Sequence, residues 1–254
     1  MSQGLRTVVY DYLCERLLTG ELHAGKRVCE LTVAKATGVS RSPVREAIGQ
    51  LRAEGVLEQI PGYGAFVKSA TRRELDEAFQ VREWLECEAV FSLASARERP
   101  PLEDARASCD AMLAMLRENH SSNDSVITET AYDTLERIDR DFHAAMLKGA
   151  GNRRVVKVIG DTRLLIHATA CRPRPLTVEH LSKIFTDHDV ILRSVLRGEP
   201  EEAREQMLSH IRWAHAETLK VYDQLAAQAD GDETPTNVAR RTVNQNPIAR
   251  SSLR

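Results

Sequence analysis

Aromatic residues make up only 5% of this 254-residue chain. Runs of β-branched residues are also scarce beside Ala, Leu, Arg and Glu, so the pattern favours helix over sheet. Thirteen Gly and nine Pro are too few for a fibrous or low-complexity protein. No stretch approaches the ~18 uncharged apolar residues that a membrane span needs, and Met1–Tyr10 lacks the apolar core of a signal peptide. A cytoplasmic protein without membrane contact is expected. The five cysteines, Cys14, Cys29, Cys87, Cys109 and Cys171, are odd in number and contain no C-x-x-C pair. A disulfide framework or a thiolate zinc site is therefore excluded in favour of buried, reduced thiols. What is present suits packed cores under a solvated surface: 42% apolar and 28% charged residues, enough for one large domain or two modest ones. The net charge of −2 is unevenly spread. Residues 1–70 carry nine Lys/Arg against seven Asp/Glu, whereas residues 71–229 carry 22 against 27. A slightly basic head precedes an acidic body.

Periodicity and breakers divide the chain into three parts. In the first helix Leu5, Val8, Val9, Tyr12, Leu13 and Leu17 recur at helical spacing, and Gly20 stops it. A short helix is expected over Glu30–Thr37, broken by Gly38. A third starts near Ser40–Pro43 and carries Val44, Ala47, Ile48 and Leu51, with Ser40 or Ser42 as cap and Pro43 in the first turn. Two β-like runs, Val56–Ile60 and Ala65–Lys68, flank Pro61-Gly62-Tyr63-Gly64 and read as a hairpin. The capping box Thr71-x-x-Glu74 then opens a long helix bearing Leu75, Phe79, Leu85 and Ala89. From there to Ala229 the chain reads as six helices without strands, broken at His120–Ser125, Gly149–Gly151, Arg172–Pro175 and Gly198–Pro200. The boundaries follow: a head over 1–70, a helical domain over 71–229, and a polar, aperiodic tail over 230–254 that is expected to be disordered.

Ala34, Gly38 and Val44 supply the small residue, turn glycine and packing residue that a helix-turn-helix needs, with Val33, Val39 and Ala47 around them. The hairpin behind has the form of a wing, and its glycines, Gly62 and Gly64, permit close approach to phosphates. Arg45 and Arg52 project from the third helix opposite Val44, Ile48 and Leu51, while Arg41 stands at its N-terminus, where base contacts are usually made. Arg41, Ser42, Arg45, Arg52, Gly62 and Gly64 are the candidate DNA contacts. The competing account is an αα-corner with solvated arginines. Gly49 in mid-helix costs ~1 kcal/mol against Ala, which a close approach to DNA backbone would explain.

The run Gly38-Val39-Ser40-Arg41-Ser42-Pro43-Val44-Arg45-Glu46-Ala47-Ile48, followed by Leu51-x-x-Glu54-Gly55-Val56-Leu57 and Gly64-x-Phe66-Val67, resembles the winged-helix head of GntR-family transcription regulators over residues 5–70. The resemblance implies that Arg41 and Arg45 touch operator bases or phosphates and that the wing glycine reaches the minor groove. Leu31 stands where some members carry a DNA-contacting Arg.

Among eight histidines, three lie in apolar stripes of three different helices. His143 shares a face with Leu135, Phe142 and Met146, His188 lies between Ile184 and Ile191, and His210 lies between Met207 and Ala214. Taken singly, each reads first as a satisfied core histidine. Asp139 precedes His143 by four residues, so both leave one helix face together. One carboxylate and three imidazoles inside a bundle suit Zn²⁺ first, or Ni²⁺, Co²⁺ or Mn²⁺, rather than Ca²⁺ or Mg²⁺. The same residues, in Asp139/His143, Asp187-His188 and Met207-Leu208-Ser209-His210, resemble the all-helical FCD type of ligand-binding domain found behind one large GntR subgroup. Val81-Arg82-x-x-Leu85-Glu86 resembles its first body helix. The resemblance implies a bound metal at Asp139, His143, His188 and His210, a small organic-acid effector met by Arg82, and a homodimer on a palindromic operator.

The expected protein is mostly α: a winged helix-turn-helix followed by an FCD-like helical bundle. Its expected function is metabolite-responsive transcription regulation, with repression as the sense, rather than catalysis. Two other classes remain at this point. His188-Asp189 with His143 and Asp223 can imitate an HD-type metal-dependent phosphohydrolase, and a plain helical adaptor would leave all four candidate ligands incidental.

Overall fold

The computed structural model describes residues 2–98, 100–120, 126–127, 129–170 and 176–229. The tail at 230–254, Cys171, and the breaks at 121–125 and 171–175 lie outside the described residues. The chain divides into two units, one of residues 1–75, 163–172 and 220–254, the other of residues 76–162 and 173–219.

The first unit is built on α1 (Ser2–Leu18), β1 (Arg27–Val28), α2 (Glu30–Thr37), α3 (Arg41–Ala53), β2 (Leu57–Ile60) and β3 (Gly64–Val67). Gly38 ends α2 at φ +69°, the left-handed conformation that a helix-terminating glycine adopts without strain. Ser40 is the N-cap of α3, although its side chain makes no capping hydrogen bond. Val44, Ala47, Ile48 and Leu51 form the buried face of α3, against Val9, Leu13 and Leu17 of α1 and Val33 of α2. The first-helix stripe is narrower than its sequence implies, because Leu5 and Val8 are exposed. The hairpin is three-stranded in the order β1-β3-β2. The first strand was not expected: Arg27 pairs with Phe66 and Val28 with Ala65. Its two residues are too few to show an alternation. The β2–β3 connection is set by local chemistry, since Pro61 and Gly62 (φ +80°) occupy the central positions of a turn closed by Tyr63 N–H on the Ile60 carbonyl at 3.0 Å.

The last turns of α7 (Arg153–Ala170) also belong to this unit. Leu164 and Ala168 join the core of the head, and His167 Nε2 donates to the Leu18 carbonyl at 2.8 Å. The expected capping box is formed at the start of α4 (Arg72–Ser95): Thr71 N–H donates to Glu74 Oε2 at 2.8 Å, and Glu74 N–H donates to Thr71 Oγ1 at 3.2 Å.

The second unit holds the rest of α4 with α5 (Glu103–His120), α6 (Glu129–Gly149), the first part of α7, α8 (Val178–Arg197) and much of α9 (Pro200–Ala229). The helical body is not free of strands. A two-residue ladder pairs β4 (Val126–Ile127) with β5 (Leu176–Thr177), Val126 opposite Thr177. Strands this short are held by their neighbours rather than by pattern, which is why no periodicity announced them. Met112 and Leu116 of α5, Leu135 and Ile138 of α6, and Leu181 and Ile184 of α8 share one buried cluster. The Thr177 hydroxyl accepts from His180 N–H to cap α8, and Gly198 closes that helix at φ +75°.

The thiols are not uniformly buried. Cys87 and Cys109 are, and burial is the main cause that pushes both up to about 12. Cys29 is exposed at the N-cap of α2, its thiol held below the ordinary value by hydrogen bonding to Thr32 and to the backbone N–H groups of Thr32 and Leu31.

Candidate functional site

Asp139 and His143 leave one face of α6, four residues apart, and meet His188 of α8 and His210 of α9. The three imidazoles are buried and Asp139 is partly so. His143 Nε2 lies 3.2 Å from His210 Nε2, which lies 3.3 Å from His188 Nε2. Asp139 Oδ1 stands 3.3 Å from His188 Nε2, 3.8 Å from His143 Nε2 and 4.0 Å from His210 Nε2. Phe142 stacks on His188 with ring centroids 3.9 Å apart and fixes the plane of that ring. The helical spacing accounts for the pair on α6, and the packing of α6, α8 and α9 completes the set.

Two further carboxylates orient the imidazoles of His143 and His210. His143 Nδ1 donates to Glu86 Oε2 at 2.5 Å, and Glu86 Oε1 accepts from Arg82 Nε at 2.7 Å. On the other side His210 Nδ1 donates to Asp187 Oδ2 at 3.2 Å, and Lys183 Nζ reaches both oxygens of Asp187 at 2.6 and 2.7 Å. Burial raises the Asp187 carboxyl, but hydrogen bonds from His210 and Lys183 outweigh it and hold the group below its ordinary range.

With Nδ1–H committed to a carboxylate, Nε2 of His143 and of His210 carries the lone pair, and the two lone pairs face each other. Two neutral rings in that state repel unless a metal ion or a shared proton lies between their Nε2 atoms. Ligands of a tetrahedral zinc ion at its usual bond lengths stand about 3.3–3.5 Å apart, close to the 3.2 and 3.3 Å from His210 Nε2 to the other two rings and the 3.3 Å from Asp139 to His188, with Asp139 farther from His143 and His210. The donor set fits a transition-metal dication.

Sequence reasoning did not assign Glu86 or Asp187 a role, although both sit in the runs that carried the resemblance. The detectable signal was a carboxylate four residues after Arg82 and another directly before His188. Arg82 itself is only 5% exposed, and its guanidinium is engaged with Glu86. The HD-type arrangement is not assembled. Asp189 pairs with Arg193, and Asp223 belongs to the first unit, where it pairs with Arg72 at 2.6 Å.

On the head, Arg41, Ser42, Arg45 and Arg52 are all exposed along α3. Arg45 Nε donates to Glu30 at 2.9 Å, an exposed pair that a phosphate or base can displace at little cost. Gly49 lies on the same exposed side, and a β-carbon there would meet nothing within 4 Å, so no packing within the head requires a glycine. At the wing, the Arg27 guanidinium lies against Gly64, whose φ of +105° favours glycine, and Tyr63 is exposed at the tip. Arg27 and Tyr63 were not singled out from sequence, because only the pairing of β1 with β3 brings Arg27 to the wing.

Residues 77–212 match the family model of the FCD domain, and residues 5–67 match that of bacterial regulatory proteins of the gntR family. The chain belongs to the gntR family, with an FCD domain behind its head. It is a DNA-binding transcription regulator and not an enzyme. Among relatives of this family, the HTH-type transcriptional regulator YdhC of Bacillus subtilis, itself uncharacterised, is 28% identical over 206 residues, covering 79% of this chain and 85% of its own. LutR of the same organism, also an HTH-type regulator, is 23% identical over 201 residues, covering 76% and 91%. The solved structure of Escherichia coli McbR/YncC superposes with a TM-score of 0.69 at 20% identity, covering 86% of this chain and 98% of that one. At that identity the likeness establishes the fold alone. No described helix is long and apolar enough to cross a membrane.

Proposed function

We propose that this regulator senses a small organic acid through a divalent metal ion held by Asp139, His143, His188 and His210. The observation that carries this reading is the convergence of three buried Nε2 atoms, two of them with Nδ1 bound to a carboxylate. Zn²⁺ is the first choice of ion, with Ni²⁺, Co²⁺ and Mn²⁺ as alternatives, since imidazole ligands suit all four. When bound, the ion supplies a strong positive charge to which a carboxylate can coordinate. Arg82 supplies the second contact, as it can donate two hydrogen bonds to an effector carboxylate if it turns from Glu86. Both residues sit on α4, which begins directly after the wing, so a shift of that helix has a covalent route to the head.

DNA binding runs through Arg41, Ser42, Arg45 and Arg52 on α3, with Gly62 and Gly64 at the wing and Gly49 allowing the backbone of α3 to approach phosphate. One head spans a half-site, and two heads on successive turns of a palindrome call for a homodimer. An operator-bound dimer blocks polymerase by occupancy, so repression is the proposed sense.

Two variants test this reading. R45A is expected to weaken operator binding by ~1–3 kcal/mol in a gel-shift titration while the head stays folded. Unchanged affinity would show that α3 does not read DNA as proposed. R82Q retains a hydrogen-bond donor for Glu86 but removes the charge. It is expected to keep metal and operator binding and to lose release of DNA by small carboxylates. A variant that still responds with the wild-type effector midpoint rules out the Arg82 contact.

A further inference from the structure

Between Glu58 and Lys68 the wing hairpin has no charged residue of its own. Lys68, at its far end, is paired with Glu74. A cation reaches the tip from another strand. Arg27 lies on β1, at an edge of the sheet, directly opposite Phe66 of β3. Its backbone is fixed on both sides: Val28 is buried in the core of the head, and the Lys26 carbonyl accepts from Val67 N–H at 2.8 Å. Arg27 is exposed, and among the described residues its guanidinium has no hydrogen bond or ion pair. Arg45, by contrast, is paired with Glu30.

The guanidinium nonetheless has a defined place. A β-carbon on Gly64 would stand 3.4 Å from Arg27 Nε and 3.5 Å from Nη2, the distances of van der Waals contact. A β-carbon on Gly62 would meet nothing within 4 Å. The two wing glycines therefore differ. Gly62 is explained by its turn, whereas Gly64 also leaves a bare surface on which the arginine lies. A charge held against bare backbone makes a narrow projection, and ordering it on a partner costs little further side-chain entropy. Without a carboxylate of the chain beside it, that charge is ready for an acceptor outside the chain.

We propose that Arg27 is the wing's reading residue, its guanidinium entering the minor groove beside the major groove that α3 faces and favouring A·T-rich steps there. Only Glu54, Gly55 and Val56 separate α3 from β2. The hairpin therefore meets the duplex next to wherever α3 docks, and across one phosphate ridge from a major groove lies a minor groove. That groove is about 6 Å wide, which suits a single side chain laid on glycine. A·T-rich steps narrow it and deepen its negative potential, which draws arginine in. A G·C pair instead puts the amino group of guanine on its floor. A guanidinium is also more weakly hydrated than an ammonium, so it loses less on entering. The contact adds a preference for groove shape without a fixed order of A and T. This inference rests on α3 as the DNA-reading helix and names what the wing adds to it.

Selection from a pool of duplexes with a randomised centre, using full-length wild type, R27A and R45A, tests this. Thermal melts check that each variant is folded. Wild type is expected to enrich a fixed base pattern flanked by A·T-rich steps in which A and T interchange. R27A should keep the pattern and lose the flank preference. In gel-shift titrations on the selected sequence, replacing the flanking A·T pairs by G·C should weaken wild type about tenfold and R27A not at all. Inosine·cytosine pairs show the minor groove the face of A·T and the major groove the face of G·C. Placed in the flank, they should bind wild type as A·T does. An R27A that retains the flank preference overturns the inference, as does a wild-type pattern with no A·T-rich flank. So does an R27A that loses affinity equally on every flank with a salt slope lower by about one, the mark of a phosphate contact. A base pattern that survives unchanged in R45A would instead remove α3 as the reading helix, a result separate from the behaviour of R27A.

Discussion

Replacing His210 with Ala is expected to abolish binding of the divalent ion and to lower the melting temperature by about 10 °C or more. His210 Nε2 stands 3.2 Å from that of His143 and 3.3 Å from that of His188, so its loss removes the ligand that the other two imidazoles share. Two contributions add. A metal present at a hundred times its dissociation constant stabilises the folded state by about 2.7 kcal/mol. Truncating a side chain that is only 2% exposed leaves a cavity costing roughly 2 kcal/mol or more. For a domain of this size each kcal/mol corresponds to about 2–4 °C. The check is elemental analysis together with melts in the presence and absence of a chelator. The chelator should depress the melting temperature of wild type and leave H210A untouched. A variant that retains stoichiometric metal overturns the assignment. Acidification should release the ion from wild type as well, because the ligands must be neutral imidazoles. Asp187 adds to the same trend. Its folded carboxyl titrates below the unfolded value, so its contribution is complete above the ordinary carboxylate range and is lost as pH falls through the lower, folded value.

The second large effect is expected at Glu86, which is 1% exposed and uses both oxygens. E86A takes a carboxylate away from the buried Arg82 guanidinium and from His143 Nδ1 together. Breaking a buried ion pair by removing one partner costs ~3–5 kcal/mol, because the remaining charge keeps its desolvation penalty. The ring of His143 also loses the group that sets its tautomer, and removal of such outer partners weakens metal binding about 10–100-fold. E86Q preserves shape and one acceptor, so it should fall between wild type and E86A in both measurements. Urea denaturation with an unchanged m value, paired with competitive metal titration, supplies both numbers. A loss of stability below ~1 kcal/mol would show that Glu86 is not the electrostatic partner of Arg82 and His143.

The two parts of the candidate ligand set differ in how they can be found. Asp139 and His143 are visible as a pair because four residues return a helix to nearly the same face. His188 and His210 are visible only as polar residues in apolar stripes, which most often means a satisfied core histidine. Their role depends on α6, α8 and α9 packing around a common point. Glu86 meets His143 across 57 residues of sequence and Asp187 meets His210 across 23. Neither contact leaves a periodicity to read.

By itself the sequence determined the features that local chemistry controls. Gly38 had to end α2, Pro61-Gly62 had to turn the wing, Thr71 and Glu74 had to cap α4, and the apolar face of α3 had to bury Val44 and Leu51 while turning Arg45 outward. Each follows from dihedral preference, from a hydrogen bond within a few residues, or from the 3.6-residue period. Only the tertiary structure decided that Arg27 lies at the wing, that Leu164 and Ala168 of α7 join the core of the head, that β4 pairs with β5, and that Arg82 is engaged with Glu86. Those features arise from contacts between distant segments, whose free energy comes from burial and charge pairing in the assembled core, and no single segment carries them.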